Sequence, residues 1–310
     1  MLFVAGAAML FASKGLFAKA LYQRGVGFEL LVTVRAVLAM PLFAWVAWRG
    51  GPGSSTSAGS PPLRAHAVWA AVAAGAVCYY VGALVDFWAL TMIDASIERV
   101  LLFSYPAMVV LIDSCLRRRM PRRGVFAAML VTYAGIFFAM GGIDLAELRD
   151  NLFGAALVLV GALTTAIYFL IGARYTHELG SARFAAIAMG SAALMLALHF
   201  ALLRPLGELG SIDELAALDE LAALGAPDWT LLVILAIACM FLPGLMQAEG
   251  MRRVGAQRAA IGSTVGPPTT IILAALFFAE RLTAWQLVGS AMIVGSVLLL
   301  SLDKAPPAGD

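Results

Sequence analysis

The sequence predicts an all-α integral membrane protein: ten transmembrane helices arranged as two inverted five-helix repeats around a central cavity. Three observations carry this reading. Of the 310 residues, 62% are hydrophobic and only 13% charged, with a mean hydropathy of +0.91. Soluble domains carry about 25% charged residues and about 45–50% apolar ones, so a soluble enzyme, a disordered chain and a nucleic-acid binder are excluded. The apolar residues fall into ten runs, each long enough to cross a bilayer at about 20 residues per span. Finally, the second half repeats features of the first at a constant offset.

Taken in order, the runs are 2–21, 28–48, 67–91, 95–116, 123–141, 152–173, 182–203, 229–250, 257–278 and 283–302. Only helices or closed barrels satisfy the backbone in lipid. The runs are continuously apolar rather than alternating, which excludes a barrel. The first run opens on MLFVAGAAML with no basic leader and no small-residue cleavage site, and is expected to be a retained span rather than a signal peptide. Between the second and third runs, residues 49–66 form a Gly/Ser/Pro-rich linker without periodicity. Between the seventh and eighth, residues 204–228 hold a tandem hexapeptide, DELAALDELAAL, from Asp213 to Leu224. Its leucines recur every three residues, which suits a short amphipathic helix at the membrane surface. The expected organisation is a first repeat over 1–141, a connector over 142–151, a second repeat over 152–302 and a tail over 303–310.

Charge sets the orientation. With the N-terminus cytoplasmic, thirteen of the 21 Lys and Arg fall on cytoplasmic loops and the tail, six on the opposite side, and Lys14 and Arg35 inside spans. The positive-inside rule then places both termini in the cytoplasm of a bacterial inner-membrane protein, with the 142–151 connector and the acidic 204–228 loop periplasmic.

Residues 68–115 shifted by 161 positions fall on 229–276 without a gap. Cys78 lands on Cys239, Leu84 on Leu245, Ala95 on Ala256 and Pro106 on Pro267. Five spans separate each pair, an odd number, so the halves are upside down relative to each other. Inverted repeats are the architecture of many secondary transporters, which alternate access around a midplane site.

The stretch GAQRAAIGSTVGPPTTIILAALFFAERLTAWQLVGSAMIVGSVLL, residues 255–299, closely resembles the C-terminal half-repeat of the EamA family in the drug/metabolite transporter superfamily. The matching features are Gly255-Ala256, Pro267, Glu280-Arg281-Leu282, Gly289 and Gly295. The first half resembles it more weakly, through Ala89-Leu90, Ala95-Ser96, Tyr105-Pro106 and Gly135, with Arg117 to Arg119 where the second half has its glutamate. This resemblance implies a ten-helix bundle whose cavity is lined mainly by spans one, three, four, six, eight and nine. It also implies export of amino acids or related small metabolites. Within the superfamily the chain looks most like the aromatic amino acid exporter branch, which also handles paraquat-like cations. The expected function is alternating-access export of amino acids, with aromatic or large apolar ones favoured. The alternatives are an exporter of cationic drugs or other metabolites, and a passive channel.

Depth in the membrane picks out candidate residues. Tyr79 and Tyr80 sit near the middle of the third span, although tyrosines favour interfaces. A cavity gives them a role, the ring stacking on substrate while the hydroxyl stays wetted; packing between helices is the alternative. Consecutive positions lie about 100° apart on a helix, so one is expected to face the cavity. Tyr105 and Tyr168 are further aromatic candidates. Thr164 and Thr165 are expected to bond their own helix. Pro106, Pro267 and Pro268 fall near the centres of spans four and nine. There a proline removes a backbone donor, exposes polar backbone and supplies a bend; a static packed kink is the alternative.

Lys14, Arg35 and Asp86 lie roughly 8–10 Å below the outer surface, at 1.5 Å per residue, with Glu98 slightly above them. The offset sets Gln247 against Asp86. Ions within a bundle default to function, and a charged outer vestibule is one reading. Structural clamps, Arg35 with Glu98 or Lys14 with Asp86, are the other. No enzyme is expected: His66, His177 and His199 are scattered, and Cys78, Cys115 and Cys239 have no metal spacing. A channel's filter or ring of like groups is absent from the sequence. The expected partners are a small-molecule substrate and membrane lipid, with no cofactor, metal or nucleic acid.

Overall fold

The computed structural model describes residues 1–49, 64–89, 92, 93, 98, 101–139, 152–203, 221–278 and 283–302. Most of the 49–66 linker, the 142–151 connector, residues 204–220 with most of the hexapeptide repeat, Glu280-Arg281-Leu282 and the 303–310 tail lie outside them. The described residues are helical apart from short turns and caps. The helices are α1 (Leu2–Ala12), α2 (Lys14–Tyr22), α3 (Phe28–Arg49), α4 (Ala65–Gly75), α5 (Ala83–Ala89), α6 (Tyr105–Arg117), α7 (Arg123–Ala139), α8 (Leu152–Leu179), α9 (Ser181–Leu198), α10 (Ala226–Ala236), α11 (Leu242–Gly262), α12 (Gly266–Phe278) and α13 (Ala284–Leu302).

Among the described residues, six helical stretches are long and apolar enough to cross a membrane: Phe28–Arg49, Ala65–Ala89, Leu152–Leu179, Ser181–Ala201, Ala226–Leu273 and Ala284–Leu302. Leu2–Ala12 and Arg123–Ala139 are shorter apolar helices. The first apolar run of the sequence is thus divided, with α1 ending at Ser13, whose hydroxyl donates to the Leu10 carbonyl, and α2 starting at Lys14.

The Ala226–Leu273 stretch has 48 residues, about 72 Å if straight, more than twice a hydrocarbon core. Gly255, at φ 77°, breaks it. Gly25 (φ 86°) and Gly180 (φ 79°) sit at two other turns, between α2 and α3 and between α8 and α9. A left-handed backbone costs a side chain energy that glycine does not incur, so these three glycines let successive helices reverse.

At the α2–α3 turn, Arg24 donates to the Asp228 carboxylate, which also accepts from the Gly225 amide at 2.9 Å and so caps α10. One contact ties the first half of the chain to the second.

Helix pairing is set by small residues, since apolar side chains are as comfortable in lipid as against protein. α7 and α13 pack together through Gly135 and Gly289; a Cβ on Gly135 would lie 2.8 Å from the Gly289 carbonyl oxygen. Thr132 and Ser296 hydroxyls bond across the same interface at 2.6 Å. α3 packs on α9, α4 on α9, and α10 on α3. The main core runs through these helices, α8 and α11, around Phe43, Tyr168, Phe169, Phe184 and Met251.

Candidate functional site

Two helix irregularities recur in the two halves. Residues Ala76–Gly82 wind as a π-helix between α4 and α5, and Ile237–Phe241 do the same between α10 and α11. Their starts are 161 positions apart, the offset of the internal repeat. A π segment inserts one residue into the turn and is common at functional sites because it re-aims the following side chains. α6 restarts at Tyr105 and α12 at Gly266, again 161 apart.

Both π segments face one cavity of about 140 Å³. Cys78, Tyr79 and Gly82 line it from the first and Cys239 and Met240 from the second. Lys14 enters from the start of α2, Arg35 from α3, Asp86 and Phe87 from α5, and Gly161 and Thr165 from α8. Thr165 donates to the Gly161 carbonyl at 2.9 Å, within its own helix. The repeat-related Cys78 and Cys239 meet on one void, and the Ser13 hydroxyl lies 3.2 Å from the Cys239 sulfur.

The cavity is electrostatically uneven. Arg35 and Asp86 are both buried, at 9% and 7% exposure. Arg35 Nε and Asp86 Oδ1 each lack a hydrogen-bond partner. Lys14 Nζ lies 5.2 Å and the Arg35 guanidinium 5.3 Å from the centre of the Phe87 ring. An aromatic face attracts a cation within about 6 Å, so one ring serves two positive charges. Among the described residues neither clamp, Arg35 with Glu98 or Lys14 with Asp86, is an ion pair.

The candidate residues separate. Tyr79, Lys14 and Asp86 line the cavity. Tyr80 turns away: its hydroxyl lies 3.0 Å from His199 Nδ1 and the two rings meet edge-on. Tyr168 is fully buried behind Tyr79, the rings edge-to-face at 5.0 Å, and supports the wall without lining it. Tyr105 stacks on Phe169 at 5.5 Å and bonds the Ser263 hydroxyl, so it joins the two helix restarts away from the void. Gln247 is buried on α11 and does not share the cavity with Asp86.

Pro106 occupies the first turn of α6, and Pro267 and Pro268 the first turn of α12, behind a short 3-10 turn at Ser263–Val265. The expected mid-helix bend is therefore a restart. A proline in the first turn gives up an amide that has no intrahelical acceptor anyway.

Arg35, which depth grouped with Lys14 and Asp86, lines the cavity with them. One feature fell outside the sequence-derived site: a knot on α11, where buried Glu249 accepts from Ser181 (2.7 Å), Arg252 (2.9 and 2.7 Å) and Arg253 (2.6 Å). The i+3 and i+4 arginines were its sequence signal.

Comparison with known proteins places this geometry. Residues 1–141 and 152–302 each match the EamA-like transporter family. The uncharacterized transporter YcbK of Bacillus subtilis is 30% identical over 285 residues, covering 90% of this chain and 85% of that protein. The uncharacterized transporter sll1319 of Synechocystis is 23% identical over 288 residues, covering 90% of this chain and 81% of its own. A solved crystal structure superposes with a TM-score of 0.74 at 16% identity, over 97% of this chain and 96% of that one, and shares its fold.

Proposed function

The chain belongs to the EamA-like transporter family, a multi-pass membrane transporter rather than an enzyme by that membership, and from this premise we propose that it is a secondary exporter of amino acids, aromatic or large apolar ones favoured, working by alternating access across the inner membrane. The supporting observation is a single cavity fed by both halves of the chain. Matching π segments aim Cys78 and Tyr79 from one half and Cys239 and Met240 from the other. Helix pairing adds to it: α4 against α9 and α10 against α3 are the same contact related by exchange of halves, with α3 against α9 between them. Such exchange underlies two inverted repeats of five spans, 1–141 and 152–302, and carriers of this architecture rock one repeat against the other around a fixed site. With both termini cytoplasmic, the depths of Lys14, Arg35 and Asp86 put the cavity in the periplasmic half of the bilayer.

Its volume, about 140 Å³, is close to that of an engineered cavity of about 150 Å³ that takes benzene. A phenyl or branched aliphatic side chain fits this scale, and Tyr79 offers it an aromatic wall. Two cations in the cavity weigh against cationic drugs as substrates.

Proteoliposomes test the reading. Uptake of radiolabelled phenylalanine or leucine is expected to saturate and to accelerate when the same unlabelled amino acid is preloaded inside. Linear flux without trans-stimulation identifies a channel and overturns the carrier mechanism.

The helix restarts give a second expectation. If they are the points about which α6 and α12 pivot, Pro106→Ala and Pro267→Ala each allow the helix to extend backwards, and transport slows several-fold while the protein still elutes as a folded species. A proline costs about 3 kcal/mol in a helix interior and almost nothing in its first turn, so it enforces the break. Wild-type flux in both variants reduces the prolines to packing.

A further inference from the structure

The geometry points to Arg35 as the residue that selects substrates bearing a carboxylate, with Asp86 receiving the substrate's ammonium group across the same cavity. This rests on the transporter reading and adds a specificity determinant to it.

An arginine stays charged in proteins and cannot shed its proton to escape burial. A buried guanidinium therefore takes an anion, a set of carbonyls or water. Arg35 is 9% exposed, its Nε has no hydrogen-bond acceptor, and among the described residues no carboxylate forms an ion pair with it. Its recorded partner is the face of Phe87, which stabilises the charge but leaves the N–H edge of the guanidinium without an acceptor. Asp86, one residue before Phe87, is 7% exposed, and its Oδ1 has no donor. Both line the one cavity of about 140 Å³.

A structural ion pair closes on itself. These two charges border the same void without closing, and a molecule carrying both a carboxylate and an ammonium group completes each. A carboxylate meets a guanidinium edge through two parallel hydrogen bonds, a geometry that an ammonium such as Lys14 lacks. Lys14 shares the Phe87 ring and adds positive potential to the cavity. Among the described residues the charged groups lining the cavity are thus Lys14, Arg35 and Asp86, a net positive set that disfavours a substrate with an amine alone.

The test is competition against radiolabelled leucine uptake in proteoliposomes, using leucine, leucinamide (no carboxylate) and 4-methylpentanoate (no ammonium). Hydrogen bonds to charged groups predict that each truncated analogue competes roughly 10- to 100-fold more weakly than leucine at the wild-type protein. In Arg35→Met the advantage of leucine over leucinamide is expected to collapse, while its advantage over 4-methylpentanoate remains. Asp86→Asn gives the mirror result. Arg35→Lys keeps the charge without the fork and recovers part of the carboxylate preference, and it controls for folding if Arg35→Met is poorly produced.

Saturable leucine uptake with an unchanged leucine-to-leucinamide ratio in Arg35→Met overturns the inference and leaves the transporter reading intact. Aggregation of both Arg35 variants assigns Arg35 a structural role and also overturns it. Absence of saturable, trans-stimulated uptake by the wild-type protein fails the amino acid reading itself, and the inference with it.

Discussion

Glu249→Ala is expected to destabilise the folded protein by about 3 kcal/mol, the lower end of the range for breaking a buried ion pair. The Glu249 carboxylate is 3% exposed and accepts from Ser181, Arg252 and Arg253. It ties the start of α9, just after the Gly180 turn, to α11. Its removal leaves the Ser181 hydroxyl, in a residue only 2% exposed, without that acceptor. It also leaves two adjacent arginines without their shared anion. The lower end applies because the Arg253 side chain is 55% exposed and water screens part of its charge. Glu249→Gln keeps the shape and one acceptor oxygen, and its loss is expected to be smaller. Thermal unfolding of the purified protein in detergent measures both. A Glu249→Ala melting temperature equal to wild type shows that the knot contributes nothing to the fold.

Tyr79→Ala is expected to raise the apparent KM for an aromatic or branched amino acid several-fold or more. Tyr79 lines the cavity and is braced edge-on by Tyr168 at 5.0 Å. An aromatic contact is worth about 0.5–1.5 kcal/mol beyond the area it buries, and truncation to alanine also enlarges the void. Tyr79→Phe keeps the ring and is expected to change KM less. Tyr80→Ala is the control from the neighbouring position: it removes the contact to His199 and is expected to lower folded yield with KM unchanged. Uptake kinetics in proteoliposomes separate the two. A wild-type KM in Tyr79→Ala places substrate binding outside this cavity.

The two tyrosines show how far the sequence reaches. A 100° step between consecutive helical positions says that Tyr79 and Tyr80 diverge, but not which of them meets the void. That depends on the π segment Ala76–Gly82, whose extra residue rotates everything after it. No composition signal marks it. The prolines behave alike. Their mid-run positions signal a disruption of the helix, and only the backbone shows that Pro106 and Pro267 stand in the first turns of new helices. Gln247 shows a different limit: the offset pairs it with Asp86, yet Asp86 lines the cavity and Gln247, also buried, does not.

By itself the sequence determined the solvent, the helical state and the family. Continuous apolar runs leave the backbone no hydrogen-bonding partner in lipid except itself, so hydropathy alone dictates helices, and the motif from Gly255 to Leu299 carries the resemblance. Tertiary structure alone decided which faces meet. In a bilayer, lipid and protein are equally apolar, so a helix face bears no polar stripe to say which way it points. Small residues such as Gly135 and Gly289 then choose the neighbour by close approach. The same reason hid the site. Arg35 and Asp86 were visible as costly charges, but whether they pair with each other, with Glu98 or with a substrate is fixed only by where α3 and α5 place them around the void.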